Sequence, residues 1–411
     1  MTRPDMTTHP VFRGSLVVAL AVMLSACSGI FDVEAPGRIA DENLDSPDAA
    51  PGIVTGMSYD LSGAMNATFD LVALASGELF HGGSYNWGDV PRGVIKPEDV
   101  NGTWGSMMQA RWVTEHGIER LKATLEEAEF NKSPLIARAY LLGGFANRLI
   151  GENVCQTIID GGAPEPNTVE FDRGIEKFDT AIQIGTAAGS SASDVVTAAY
   201  GGRASLKAWK GDWAGAVADA MKVPAGFEYY AILMTEGLSN TLAYETHDRY
   251  EYSVFGTEFA DHPNDTRAPW QIVYLANGKV ATGANGQTPM YQQEKYEDNG
   301  SDIALVKGTE MLALRAEAAL RTNDIAGAID LLNQARAVAG MDPLATPGTL
   351  AEAWDILHFE RGAITWLENR RLWDERRWFE ATGPAHFDFL ADRDKCIPIS
   401  KNETDSNPNV P

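Results

Sequence analysis

Basic residues are scarce in this chain: 33 Lys and Arg stand against 57 Asp and Glu, a formal net charge of −24. A nucleic-acid binder needs a basic face to neutralise phosphates, so no nucleic acid partner is expected, and anionic polymers are disfavoured on the same ground. Long apolar runs are missing too. The run Leu16–Leu24 has nine residues, whereas a spanning helix needs roughly 20. The chain has few histidines, and His81, His116, His247, His262, His358 and His386 are scattered without zinc-ligand spacing. There is no G-x-S-x-G elbow, no H-E-x-x-H, no Walker loop and no dinucleotide fingerprint. No metal, no cofactor and no enzymatic activity are therefore expected. A hydrolase whose two carboxylates meet only in space is the less favoured alternative. Glu297–Asp302 is rich in oxygen ligands but lacks the spacing of a calcium loop, and reads as a solvated turn.

The start of the chain carries a targeting signal. Arg3 and Arg13 lie before the nine-residue apolar run, which ends Leu24-Ser25-Ala26-Cys27. A short apolar core of this length suits a signal peptide, and the tetrapeptide is that of a bacterial lipobox. Residues 1–26 are then the signal, and Cys27 is acylated, for instance with palmitate. Acyl chains at about 0.8 kcal/mol per buried methylene anchor a protein without a spanning helix. Ser28, where Asp would retain the protein at the inner membrane of a Gram-negative cell, fits onward export. Residues 27–51 read as a tether rich in Asp, Ala and Pro.

Only three cysteines are present. With Cys27 assigned to lipid, Cys155 and Cys396 remain as an even pair in an oxidising compartment, and a disulfide between them is expected. Two separate buried thiols are the alternative.

At 44% hydrophobic and 22% charged, the composition is that of a globular protein with ample core. The body reads as helices. Leu312, Ala316 and Leu320 share one face of a helix over Thr309–Arg321. Thr322-Asn323-Asp324 then supplies turn and capping chemistry. Ile325, Ala328, Ile329 and Leu332 form the next stripe, stopped at Gly340. The same hairpin occurs 112 residues earlier, where Asp212-Trp213-Ala214-Gly215-Ala216-Val217 aligns with Asp324-Ile325-Ala326-Gly327-Ala328-Ile329. Small residues behind an Asp cap are the physics of tetratricopeptide-like pairs, though the spacing is not tandem. Trp213 falls on the apolar stripe. Further helices are expected at Gly105–Glu129, Ser133–Leu149, Glu170–Ile184 and Thr349–Trp378, the last opened by a Thr349/Glu352 capping box. Gly226–Gly300 is rich in Tyr, Thr, Gly, Asn and Pro and reads as loops and short strands. The interleaved charges of Glu360–Arg377 read as a solvated or network-forming face. Trp354, Trp366, Trp373 and Trp378 are expected in core or partner packing.

The C-terminal sixty residues carry the most specific pattern. Glu360-Arg361 is followed by Glu368, Arg371, Asp374, Arg376 and Arg377 in the register E-x-x-R-x-x-D-x-R-R. The chain ends with Pro398-Ile399, Glu403 and Asn407-Pro408-Asn409, close to P-I-P-x-x-E-x-x-x-N-P-N. Together these motifs resemble the C-terminal signature of the SusD/RagB family. The sequence departs from that signature at Ile364 and Thr365, and at Ser400. The resemblance implies a mainly α, SusD-like single domain over residues 52–411, with tetratricopeptide-like pairs beneath a loop-rich region. It implies a surface-exposed outer-membrane lipoprotein that takes a glycan or peptide nutrient and delivers it to a TonB-dependent, SusC-like barrel. A helical scaffold that binds only protein is the alternative.

Two segments have the chemistry of a ligand face, where aromatic rings cover apolar sugar faces and amides read hydroxyls. The first is the glycine-flanked loop with Tyr85, Asn86 and Trp87. The second runs His262–Trp270 and continues to Tyr274 and Tyr291, with Trp270 and Tyr291 as the candidates. Simple packing is the favoured reading for Trp87, and it is the alternative for Trp270 and Tyr291 as well. Asp265 and Arg267 resemble a D-x-R element of the family with a structural role.

Overall fold

The computed structural model describes residues 41–83, 87–380 and 387–411. The signal segment, Cys27, Tyr85, Asn86 and His386 lie outside the described residues. The chain divides into two units. The first ends at Asp45 and contains a 3-10 turn at Asp41–Leu44. The second, Ser46–Pro411, holds the elements that follow.

The fold is mainly α. The helices α1 (Ala50–Ala75), α2 (Asn101–Thr124), α3 (Pro134–Asn153) and α4 (Thr168–Ala188) lead into α5 (Ser193–Trp209) and α6 (Trp213–Ala220). After a loop-rich stretch come α7 (Gly308–Arg321), α8 (Ile325–Val338), α9 (Leu350–Ile364), α10 (Arg371–Glu380) and α11 (Lys401–Ser406). From α1 to α8 each helix packs on the next, and α9 closes on α7. The close approach of α3, α4 and α5 depends on glycine. Gly144 and Gly202 both face the ring of Phe178, and a Cβ at either would overlap it.

Local chemistry explains the boundaries. Asp212 Oδ1 accepts from Gly215 N–H at 2.9 Å, and Asp324 Oδ1 accepts from Gly327 N–H at 2.9 Å, so the two matched hairpins use one cap. Thr349 and Glu352 form the reciprocal capping box. Gly340, at φ 69, ends the turn after α8. Trp213 is half-buried, under the guanidinium of Arg321 at 4.2 Å, and so caps the edge of the stripe.

Three expectations are corrected. Ala50–Ala75 is a helix where none was read, and it begins inside the 27–51 stretch. Its residues are buried around most of the circumference, so no polar face marks it as amphipathic. The expected helix Gly105–Glu129 starts earlier, at Asn101, and stops at Thr124, with a separate turn at Glu127–Phe130. The single helix expected over Thr349–Trp378 is two. It breaks between Ile364 and Arg371, where Leu367 and Asn369 take φ 55 and 60. The break has an electrostatic cause. Lys307 donates to the carbonyl of Ile364, Lys295 to that of Trp366, and both lysines pair with buried Glu368. A helix end that would otherwise leave orphan carbonyls in the core is thus capped by two ammonium groups.

The charges of Glu360–Arg377 form a network, and it is interior. Arg361 Nε donates to Asp374 Oδ2 at 2.6 Å, Arg370 Nη2 lies in an ion pair 2.9 Å from Glu310 Oε1, and Arg377 binds Glu317 through both terminal nitrogens. Asp265 and Arg267 join it: Arg267 Nη2 donates to Asp265 Oδ2 at 2.6 Å and also pairs with Glu360, which Arg336 holds from α8. Trp354, Trp366, Trp373 and Trp378 are core residues.

The region 226–300 is mostly loops and short strands, as expected, but it also holds short helical turns at Thr241–Ala243, Tyr244–Asp248 and Glu258–Asp261. Among the described residues four antiparallel pairs join β1 (Phe80–His81) to β5 (Tyr252–Ser253), β2 (Gln156–Ile158) to β3 (Pro164–Pro166), β4 (Glu228–Ala231) to β8 (Ile303–Lys307), and β6 (Trp270–Ile272) to β7 (Tyr291–Gln293).

Candidate binding face

The site is built where β5, β6 and β7 meet. In the β6–β7 register Trp270 pairs with Gln293, and Ile272 with Tyr291. Trp270 and Tyr291 are therefore diagonal neighbours on one face of the ribbon, within reach of each other's rings. Their rings stack at 4.8 Å with planes 3° apart. Trp270 is oriented by its indole N–H, which donates to the Phe259 carbonyl at 2.9 Å. Tyr291 is held from behind, since its N–H donates to Ser253 Oγ at 3.0 Å and its carbonyl accepts from Val254 N–H at 2.8 Å. Phe255 stands edge-on to Tyr291 at 5.3 Å and 84°. Phe255 and Tyr291 border an open cleft of about 430 Å³, with Thr257, Glu258 and Asp261 on its other walls. Gly256, at φ 80, turns the chain between Phe255 and Thr257.

The Trp87 end of the first loop is placed differently. Trp87 is half-buried against the main core, and its indole N–H donates to the Asp99 carbonyl at 3.2 Å. Among the described residues no ring contact joins it to the Trp270–Tyr291 pair. The stem of its loop is nearby in topology, though. β1 pairs with β5, Gly82 N–H donates to the Glu251 carbonyl at 2.7 Å, and β5 leads directly into Val254 against Tyr291. Tyr274 is 60% exposed on the hairpin that joins β6 and β7.

Sequence reasoning did not single out Phe255, Glu258 or Asp261. The signal available was an aromatic followed by glycine, Phe255-Gly256, in a stretch free of helical periodicity. Glu258 accepts from buried Arg371, whose Nε also donates to Glu375 at 3.0 Å. Burial pushes the Glu375 carboxyl well above the usual carboxylate range. The same burial raises Glu78 to about 7, although Arg371, the Leu367 N–H, Ser76 and Lys295 all pull it down.

Cys155 and Cys396 are joined as a disulfide, with their Cα atoms 5.7 Å apart. Beside it lies a wider groove of about 680 Å³, walled by Ile95, Ile397, Pro398 and Val410. Among the described residues no aromatic side chain lines it. Asp298 Oδ1 accepts from Gly300 N–H at 2.7 Å, which makes Glu297–Asp302 a side-chain-closed turn. Among the described residues no three His, Cys, Asp or Glu side chains gather as metal ligands, and no helix is long and apolar enough to cross a membrane.

The SusD family model matches residues 228–392. Solved structures share the fold. A SusD superfamily protein from Bacteroides vulgatus superposes with a TM-score of 0.66 at 14% identity, covering 89% of this chain and 98% of that one. A SusD homolog from Bacteroides thetaiotaomicron gives 0.66 at 14% identity, over 88% and 96%. A SusD-like carbohydrate binding protein from Bacteroides vulgatus gives 0.57 at 16% identity, over 81% and 83%. No curated protein matches the sequence. The binding face and the C-terminal charge network up to Asp392 fall inside the matched segment.

Proposed function

Because this chain is SusD/RagB-like in its fold and in residues 228–392, we propose that it is a nutrient-binding lipoprotein of the outer-membrane surface, without catalytic activity. It captures a glycan or peptide and hands it to a TonB-dependent, SusC-like barrel. The observation that carries the reading is the stacked Trp270–Tyr291 pair beside an open cleft with Phe255 on its wall. Two rings locked together lose little freedom when a ligand lands on them, so stacking energy goes into affinity. Glu258 and Asp261 at the cleft supply acceptors for hydroxyl or amide donors. The neighbour described as a SusD-like carbohydrate binding protein inclines the ligand towards a glycan. The strongly acidic chain argues against a polyanionic one.

The remaining parts follow from the sequence. Acylated Cys27 tethers the protein and raises its effective concentration at the barrel mouth. The Tyr85-Asn86-Trp87 loop, rooted beside β5, is the second contributor to the ligand face.

The test is intrinsic fluorescence of the chain from Ser28 onward, titrated with oligosaccharides and peptides. Saturable binding to one class, weakened at least tenfold by Tyr291→Ala and Trp270→Ala, is the expected result. Binding that both substitutions leave intact would sink this placement of the site.

A further inference from the structure

A second cavity lies next to the cleft, and the two share a wall. Gly256, Thr257 and Glu258 line both. The second cavity holds about 360 Å³, near the lower end of small-molecule pockets, which run from roughly 300 to 1,000 Å³. Its size suits a single ring more than a chain. Phe80, Phe387 and Phe389 line it, and Phe80 is 43% exposed. Glu375 also lines it and is 1% exposed. Oε1 of Glu375 accepts from Arg371, but among the described residues Oε2 has no hydrogen-bond partner. A buried polar atom left without a partner costs about 1–3 kcal/mol. A carboxyl oxygen in that condition, on the lining of a cavity with three phenylalanines, has the form of a reader waiting for a ligand.

The charges select the ligand class. Arg371 is already shared between Glu258 and Glu375. Arg393, the other cation on the lining, gives Nη2 to the carbonyls of Ala75 and Pro91. Each guanidinium on the lining thus has protein partners, and among the described residues no other cation lines the cavity. Burial pushes the Glu375 carboxyl up and its Oε1 is already taken by Arg371, so the side chain favours a hydroxyl over an ammonium group. A neutral hydroxyl suits the site best: it can meet Glu375 Oε2, while the apolar face of its ring lies on phenylalanine.

We propose that this cavity is a subsite for the terminal neutral sugar ring of the ligand, read by Glu375 and stacked against Phe80, while the following units lie over Phe255 and Tyr291. The assignment rests on the glycan-binding reading above and deepens it. The Gly256–Glu258 turn is the ridge over which the chain end enters.

Calorimetric titration of the chain from Ser28 to Pro411 tests it, with maltoheptaose, cellohexaose, xylohexaose and mannohexaose as probes. Wild type binds at least one. Glu375→Leu, of similar volume but with no hydrogen-bonding group, weakens that binding about tenfold or more, and Phe80→Ala weakens it at least fivefold. Glu375→Gln restores binding to within about threefold of wild type, because the amide still offers a donor and an acceptor. Thermal melting checks that Glu375→Leu is folded, and exposed Phe80 supplies the second variant if it is not. If Glu375→Leu and Phe80→Ala bind like wild type while Tyr291→Ala does not, the subsite is overturned and the cleft stands. If Tyr291→Ala also binds like wild type, or no probe binds at all, both readings fall.

Discussion

Arg377 and Glu317 meet across sixty residues of sequence in a two-pronged ion pair, with side chains 9% and 0% exposed. Arg377 Nη2 donates to Glu317 Oε2 at 2.5 Å and to Asp374 Oδ1 at 3.1 Å, while Arg321 donates to Glu317 from the next turn of α7. The pair ties α10 to the tetratricopeptide-like hairpin. Its function is to seat the C-terminal charged helix inside the protein.

Removing one member leaves the other buried without compensation. Glu317→Gln or Arg377→Met is expected to cost about 3–5 kcal/mol in urea unfolding. Replacing both, as Glu317→Leu with Arg377→Met, is expected to cost far less than the sum. A double variant as unstable as the two single losses added together would mean the residues act independently. The pH dependence has a definite sign. The arginines hold Glu317 at about 2, below its ordinary 4.5. The pair therefore contributes fully above pH 4.5 and is lost as pH falls towards 2. At about 1.4 kcal/mol per pH unit the loss is on the order of 3 kcal/mol.

Glu78 works in the opposite direction. Its carboxyl is raised from 4.5 to about 7 by burial. Between those values the folded chain holds a proton that the unfolded chain has released, so stability falls as pH rises. Glu78→Gln keeps an acceptor for the Leu367 N–H, now bonded to Glu78 Oε1 at 2.6 Å. The variant should gain on wild type by roughly 3 kcal/mol on going from pH 4.5 to pH 7 and above. Unfolding midpoints of the two proteins at pH 4.5 and pH 8 decide it; an equal gap at both would contradict the burial argument.

The matched hairpins should answer alike to the loss of their caps. Asp212→Ala and Asp324→Ala each remove one acceptor for a first-turn N–H and should cost about 1 kcal/mol, while Asn in either position should recover most of it. Differential scanning calorimetry of the four variants measures this. Unequal costs would show that the 112-residue likeness is one of pattern without shared mechanics.

These elements were legible because their causes are local. An Asp three residues before a Gly, a Thr/Glu capping box and a 3.6-residue apolar stripe need nothing outside their own turn. The interior charges were legible only as motif: Glu360, Arg370 and Arg377 have the pattern of a wet helix, and their burial depends on Arg267, Glu310 and Glu317 arriving from elsewhere. The break at Leu367–Asn369 was not legible, because the lysines that cap it sit some sixty to seventy residues earlier. The binding face divides the same way. Trp270 and Tyr291 stand out as aromatics in a loop-rich stretch, but their stacking follows from the β6–β7 register. Glu375 is one acid among many until α1, the Phe80 strand, the Gly256 turn and the Phe387 segment enclose it.

The disulfide gives the last prediction. Cys155 and Cys396 close a loop with a sequence separation of 241, for which chain-entropy models give about 5 kcal/mol, with measured values commonly 2–5. The native chain keeps its path here without the bond: Ile397 N–H donates to the Asn153 carbonyl at 2.7 Å, and Val154 bridges to Ile397. The Cys155→Ala, Cys396→Ala double variant should therefore fold and bind ligand at the Tyr291 cleft unchanged, since neither cysteine lines it. Its unfolded state is freed from the cross-link and expands. The denaturant midpoint should fall while the slope of the transition steepens. A lower midpoint with an unchanged slope would place the stabilisation in the native state instead, and two free thiols in non-reducing peptide mass analysis would remove the bond from the account altogether.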